Sequence, residues 1–388
     1  MKNIYLDYAS TTPVHPQVLK EMLPYFSEKF GNPSSIHSFG REAKKAISDA
    51  REKVSGLLNC AMQEVFFTGT TTTSDSLAIL GTVGAHKNKG HIITSAIEHH
   101  AVLDTFKELE KEGHKITILP VDKHGIVRLE DVEKAITKDT FLISIMYANN
   151  EVGTIQPVKE IADIAHKHNV IVHTDAAACA DYLDLDTKKL GVDLLTLGSH
   201  KFGGPKGVGI LYVKKGTPIK PITFGGHHES GLWPGTESVP LIIGTAKALE
   251  IATNERKEAV KRVSELKDKL IKGVLETVPN SKLTGHPTQR LPDIASFVIK
   301  GAEGEAMLLA LSDKGVAASS GSACTSGTLK PSHVLTSMGI PPEIAHGSLR
   351  FSLGKNTTED EIEYVIEILP EIVEKLRKMA PNLKEFTK

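Results

Sequence analysis

Between Val65 and Lys214 the chain alternates short apolar runs with amphipathic stretches. The runs are Val65–Thr68, Ile92–Ser95, Lys115–Val121, Thr140–Ala148, Val170–Asp175, Leu194–Leu197 and Gly209–Lys214. Runs this short and this uniformly apolar predict strands buried on both faces. Helical spacing predicts helices near Asp75–Gly84, Val102–Lys111, Leu129–Ile136 and Lys159–His168. The alternation defines an α/β fold with a mostly parallel, doubly covered sheet, in which ligands gather at the carboxyl ends of strands. Upstream, Asn3–Tyr8 reads as a strand and Pro16–Lys29 as a helix. Arg41–Leu58 reads as an amphipathic helix with Ala43, Ala46, Ile47, Ala50, Val54 and Leu57 on one face. After Val239 the texture changes. A long Lys- and Glu-rich helix over Leu241–Leu275 is followed by strand Ile294–Ile299, helix Glu303–Ser312, strand Ser348–Leu353 and a last helix Thr358–Lys378. This predicts a smaller α/β domain completed by the amino-terminal segment: 16–257 for the large domain, 1–15 with 258–388 for the small one.

Composition narrows the function. The 388 residues have room for two cores. With 46 basic and 47 acidic residues the net charge is -1, which offers no electrostatic footprint for nucleic acid or an anionic membrane. No apolar run approaches the roughly 20 residues of a membrane span, and the first residues lack the basic-then-apolar order of a secretory signal. Cys60, Cys179 and Cys324 are too few and too scattered for a disulfide framework or a zinc site, so no metal is expected and a reducing cytoplasm is the expected compartment.

Chemistry-bearing residues stand where strands end. Leu195-Thr-Leu-Gly-Ser-His-Lys-Phe-Gly-Gly-Pro-Lys-Gly207 runs from an apolar stretch through Lys201 into glycines. Burial disfavours an ammonium and makes such an amine a usable nucleophile, for instance toward an aldehyde; an ordinary loop lysine is the alternative. Thr68-Gly-Thr-Thr-Thr-Thr-Ser74 opens a helix, where hydroxyls and free N–H groups suit a phosphate, or simply cap the helix. Glu98-His99-His100 places a ring that could stack on a flat cofactor, or merely cap. Tyr147-Ala-Asn-Asn-Glu-Val-Gly153 puts two asparagines at a strand end, for polar ligand groups or for a turn. Asp175 in His173-Thr-Asp-Ala176 is a carboxylate among apolar neighbours and needs a partner: a pyridinium nitrogen, a structural N–H or an arginine. Arg350, inside an apolar strand, is expected to bind a carboxylate. Cys324, in Ser319-Ser-Gly-Ser-Ala-Cys-Thr-Ser-Gly327, is the cysteine placed as a nucleophile; Cys60 and Cys179 read as inert.

A Schiff-base lysine, an acid for a pyridinium, a phosphate cradle and a carboxylate anchor together fit pyridoxal 5′-phosphate. Over nearly its whole length the chain resembles the cysteine desulfurases of the NifS/IscS group. The matching blocks are YLDYASTTP, FGNPSS, FTGTTTTSDSLAI, ITSAIEHHAVLD, NNEVG, HTDA, SHKFGGPKG, SSGSACTSG and LRFSLG. The resemblance implies a fold-type I pyridoxal phosphate-dependent transferase, with a seven-stranded large-domain sheet and a smaller domain carrying the Cys324 loop. It implies Lys201 as the covalent cofactor ligand, Asp175 as the pyridine-nitrogen partner and His99 as the stacking, proton-moving ring. Asn150 would lie near the cofactor and the substrate carboxylate. Thr71, Thr72 and His200 would be phosphate contacts, and Thr236 would reach the partner's cofactor in a homodimer. Arg350 would anchor the substrate carboxylate and Cys324 would accept sulfur as a persulfide. L-cysteine is then the substrate, L-alanine the product, and an iron–sulfur scaffold or a tRNA-thiolation protein the acceptor. A lyase for selenocysteine or another β-substituted amino acid, and a weakly active scaffold homologue, are the other readings.

The chain departs from that family in four places. Thr70-Thr71-Thr72-Thr73 replaces Gly-Ala-Thr-Glu. Asp175-Ala-Ala-Ala178 replaces Asp-Ala-Thr-Gln, which removes a hydrogen bond to the cofactor's phenolic oxygen. Gly198-Ser199 replaces Ser-Gly, so a hydroxyl is lost or moved by one residue. Trp233-Pro234 replaces Arg-Ser. Each lost hydrogen bond is expected to cost about 1 kcal/mol, and the extra threonines offer partial compensation.

Overall fold

The computed structural model describes residues 3–321 and 331–379; Cys324 lies outside the described residues. The strands in chain order are β1 (Ile4–Tyr5), β2 (Val65–Thr68), β3 (His91–Ser95), β4 (Lys115–Leu119), β5 (Thr140–Ser144), β6 (Ile171–Asp175), β7 (Leu194–Gly198), β8 (Gly209–Val213), β9 (Ser281–Leu283), β10 (Ile294–Ile299), β11 (Val316–Ala317) and β12 (Ser348–Ser352). Seven of them form one sheet in the order β2-β8-β7-β6-β5-β3-β4. Every neighbouring pair in it is parallel except those of β8, which runs antiparallel to β2 and β7. β3, β5 and β7 are buried at every position, as a sheet covered on both faces requires.

The predicted elements stand with small shifts at their ends. One is corrected: Pro16–Lys29 is two helices, Pro16–Met22 and Pro24–Ser27. Pro24 has no N–H to continue the first helix and starts the second. β9 and β11 were not predicted, because two or three residues carry no readable period.

The 39-residue helix Val239–Thr277 joins two apolar cores. Its first turns, with Val239, Ile242, Ala246 and Leu249, belong to the core beneath the seven-stranded sheet. Val263, Leu266, Leu270 and Val274 pack instead with Ile4, Leu6, Phe297 and Phe351. In that second region β10 pairs antiparallel with β9 and β12, and β1 pairs with β11. The amino-terminal segment thus contributes Ile4 and Leu6 to the second core, then turns at Asp7–Ser10 toward the carboxyl ends of the large sheet. No helix among the described residues is long and apolar enough to cross a membrane.

Candidate active site

β7 ends at Gly198 and gives way to a tight turn, Ser199–Lys201. The amino-terminal segment straps across this turn. Thr12 N donates to His200 O at 2.9 Å, Gly203 N donates to Thr12 Oγ1 at 2.8 Å, and His15 N donates to Gly203 O at 2.9 Å. Gly203 sits at φ +80°, a conformation that favours glycine. Half-buried Lys201 points its amine at the strap, donating to Ala9 O at 2.5 Å and Ser10 O at 2.9 Å.

Lys201 lies on a cavity of about 390 Å³ together with Thr71, Thr72, Asp75, His99, Asn150, Asp175, Ala178, His200 and Arg350. The structure therefore brings together all the sequence-predicted site residues except two. Cys324 lies outside the described residues, although Ser320 and Gly321 before it line the cavity. Thr236 is exposed and does not line it.

Asp175 ends β6 and is 6% exposed. Its Oδ1 accepts from Ala177 N at 2.8 Å. Burial pushes this carboxyl above the usual carboxylate range, while the Ala177 bond, His99 and Lys201 pull the other way. Beneath it lies an acid that sequence reasoning missed. Asp75 is fully buried and has no hydrogen-bond partner among the described residues. Burial first, then the neighbouring Asp175 charge, push its carboxyl well above the usual carboxylate range. His173, 3.6 Å from Asp75, is held between Ser144 Oγ (2.8 Å) and Thr196 Oγ1 (3.0 Å), and burial lowers its pKa to about 3. The ring is neutral, so it is no counter-ion for either acid.

His99 caps the helix His100–Lys111, its Nδ1 accepting from Ala101 N at 3.1 Å. That bond places the proton of the neutral ring on Nε2. Burial, ahead of the neighbouring charges, lowers its pKa. His200 is likewise pushed down to about 4 by burial and then by Lys201 and Lys206, and its Nδ1 lies 3.1 Å from Thr11 Oγ1. The two asparagines divide their work. Asn149 is structural: its Oδ1 accepts from Glu151 N and Val152 N, and its Nδ2 donates to Ile97 O. Asn150 faces the cavity.

Arg350 is buried on β12. It donates to Asp7 Oδ1 at 2.9 Å, Ser10 Oγ at 3.0 Å and Asn150 O at 2.9 Å. Its Nε is buried without a partner among the described residues. Asp7 and Ser10 went unassigned from sequence. An arginine in an apolar strand calls for an acid, but nothing in the local pattern says which one.

Thr70 and Thr73 cap each other's backbone N–H groups at the start of the helix Thr71–Ala85. Thr72 is exposed, whereas Thr71 Oγ1 is buried without a partner. Trp233 packs beside Gly69 at the same turn. The expectation that the serine hydroxyl had moved by one residue, from 198 to 199, is half corrected: Ser199 is fully buried and faces Thr245 on the long helix at 2.9 Å, not the cavity. Ala178 leaves a gap. It lines both this cavity and a second one of about 580 Å³, as do Ala9 and Lys201.

This donor set fits pyridoxal phosphate. A buried carboxylate, a half-buried amine, a neutral imidazole and an unpartnered hydroxyl at a helix start surround one cavity.

The site's frame depends on a second missed acid. Glu98 is fully buried, accepting from Ser95 Oγ at 2.5 Å and from Met146 N at 3.0 Å on both oxygens. Burial pushes its carboxyl from an ordinary 4.5 up to about 8. The folded state therefore binds this proton more tightly than the unfolded chain. The stability it contributes is present below about 4.5 and is lost as pH rises to about 8. Glu98→Gln is expected to gain at least about 1 kcal/mol on wild type between pH 5 and pH 9, one pKa unit being worth that much. Urea unfolding at the two pH values checks it, and an unchanged difference rules it out.

Residues 4–365 match the family model for aminotransferase class V. A cysteine desulfurase IscS of Methanosarcina thermophila is 50% identical over 381 residues, covering 98% of this chain and 94% of its own. A cysteine desulfurase IscS of Clostridium botulinum is 48% identical over 390 residues, covering 100% of this chain and 98% of its own. A solved structure described as a NifS-like protein superposes with a TM-score of 0.91 at 40% identity, covering 96% of this chain and all of its own. The chain belongs to the class-V aminotransferase family and, within it, to the cysteine desulfurases.

Proposed function

We propose that this chain is a pyridoxal phosphate-dependent cysteine desulfurase that takes sulfur from L-cysteine, releases L-alanine and passes the sulfur to an acceptor protein. The observation that carries the reading is the convergence of Lys201, Asp175, His99, Thr71 and Arg350 on one cavity, in a chain 50% identical to a cysteine desulfurase.

When bound, the cofactor supplies an electrophilic carbonyl carbon and an electron sink. Lys201 would hold it covalently. Asp175 would keep a proton on its ring nitrogen, and its place as a buried carboxyl on the cavity supports that task. Thr71, Thr72 and His200, with the first-turn N–H groups, would hold its phosphate. Arg350 would take the substrate carboxylate, with Asn150 beside it. Neutral His99 offers an Nε2 proton, and Lys201 a second proton carrier. The Cys324 thiolate attacks the substrate sulfur: an S–S bond forms, the Cβ–S bond breaks, and its electron pair stays with the carbon skeleton. That skeleton leaves as L-alanine after protonation, and the Cys324 persulfide carries the sulfur onward.

Exposure of Thr236 away from the chain's own cavity supports a homodimer in which it reaches the partner's cofactor. The acceptor is an iron–sulfur scaffold or a tRNA-thiolation protein, and the compartment is the cytoplasm. The two cores joined by the long helix support domains over 16–257 and over 1–15 with 258–388. Incubated with L-cysteine and a reductant, the purified protein is expected to yield alanine and sulfide in equal amounts. Formation of neither product overturns the reading.

A further inference from the structure

The start of the helix Thr71–Ala85, where Thr71 lines the cavity, packs against the end of β7 at Gly198. Gly198 has an extended backbone, φ -114° and ψ 109°, which any residue adopts, so conformation does not require glycine there. Space does. A Cβ on Gly198 would overlap Thr71 Oγ1, with Thr71 Cβ 3.4 Å away. The hydroxyl occupying that space is the buried, unpartnered Oγ1 of Thr71. Three of its neighbours are already committed: Thr70 and Thr73 cap one another, and Ser199 faces Thr245 inside the core. Exposed Thr72 stays on the cavity beside Thr71. A buried hydroxyl without a partner costs free energy until something accepts its proton. At a helix start, with the first-turn N–H groups beside it, an oxyanion is the natural acceptor.

We propose that Thr71 and Gly198 are a coupled pair: the Thr71 hydroxyl is a phosphate donor in this chain, and Gly198 is glycine so that this hydroxyl keeps its place. A side chain at 198 forces Thr71 into another rotamer and turns its oxygen away. The serine lost at 198 and the threonine gained at 71 are then one exchange rather than two defects, and the exchange restores from the helix what the strand end gave up. Gly198 acts as a positioning residue through Thr71. The inference rests on the pyridoxal phosphate reading of the cavity and assigns its phosphate end.

The test titrates the cofactor-free wild type and the variants Thr71→Val, Gly198→Ser and Thr71→Ala/Gly198→Ser with pyridoxal 5′-phosphate and with pyridoxal. The thermal midpoint of each cofactor-free protein is recorded alongside. Thr71→Val keeps the side-chain shape and is expected to weaken pyridoxal phosphate by about tenfold, the worth of one hydrogen bond to a charged group, while leaving pyridoxal unchanged. Gly198→Ser is expected to weaken pyridoxal phosphate at least as much. The double variant is expected to bind it more tightly than Gly198→Ser alone. A Thr71→Val loss equal for both ligands, or no loss, overturns the proposal, as does a double variant no tighter than Gly198→Ser. If Gly198→Ser does not fold, a double variant that folds and binds pyridoxal phosphate supports the pair, and one that does not fold overturns it. Wild type that binds no pyridoxal phosphate sinks the desulfurase reading itself, a result distinct from every variant outcome.

Discussion

With Lys201 replaced by alanine, the protein is expected to lose its covalently held cofactor and at least about 10⁴-fold in turnover, the scale reached when a covalent and an acid–base role fall together. The geometry gives the reason. Lys201 is the amine on the cavity between Asp175 and the strap, and it is the residue through which the amino-terminal segment, the β7 turn and the cavity meet. Asp175, Thr71, His200 and Arg350 remain in the variant, so pyridoxal phosphate is expected to bind reversibly and be removed by dialysis. Absorbance spectra before and after dialysis, with alanine and sulfide yields, check both halves. A variant that keeps a dialysis-resistant chromophore and wild-type turnover would remove Lys201 from the mechanism. A structural cost is expected too, because Ala9 O and Ser10 O lose the amine that ties the strap to the turn.

The strap also marks where sequence reading reached its limit. The seven-stranded sheet was legible because each strand is a short apolar run set apart by helical spacing, and buried parallel strands leave that pattern. Site residues at strand ends were legible for the same reason: Lys201, Asp175 and His99 are polar exceptions just where an apolar run stops. Asp7 and Ser10 were not, because their importance lies in a long-range contact with Arg350, 343 and 340 residues away in sequence. Asp75 and Glu98 were missed because both lie within apparently ordinary helix-start chemistry, and their complete burial depends on packing against other strands. The exchange of Ser-Gly for Gly-Ser at 198–199 looked like a hydroxyl displaced along the chain. Side-chain direction decides otherwise: Ser199 opens the turn after β7, and its hydroxyl points into the core, where it meets Thr245 on the long helix.

Cys324→Ala separates the desulfurase from a lyase that breaks the carbon–sulfur bond unaided. With L-cysteine the variant is expected to lose about 10³-fold or more in both alanine and sulfide, because the group that receives the sulfur is gone. The chain's other thiols do not replace it. Burial pushes the Cys60 thiol up to about 12. Cys179 is fully buried, and burial followed by the Asp175 charge pushes its thiol well above the ordinary thiol range. Neither supplies a thiolate near neutral pH. Cys324 itself follows Gly321, a lining residue, by three positions, and three residues span at most about 10 Å. Both flanks are fixed at the cavity: the Ser319 backbone exchanges hydrogen bonds with Arg350, and Ser332 Oγ donates to Glu151 at 2.5 Å. The cofactor's absorbance is expected to stay unchanged in Cys324→Ala, which distinguishes a lost nucleophile from a damaged site. Mass spectrometry of wild type after one turnover without reductant should show one added sulfur on the Cys324 peptide. Full turnover of L-cysteine by Cys324→Ala would mean that sulfur leaves without a protein acceptor, and the lyase reading would replace the one proposed.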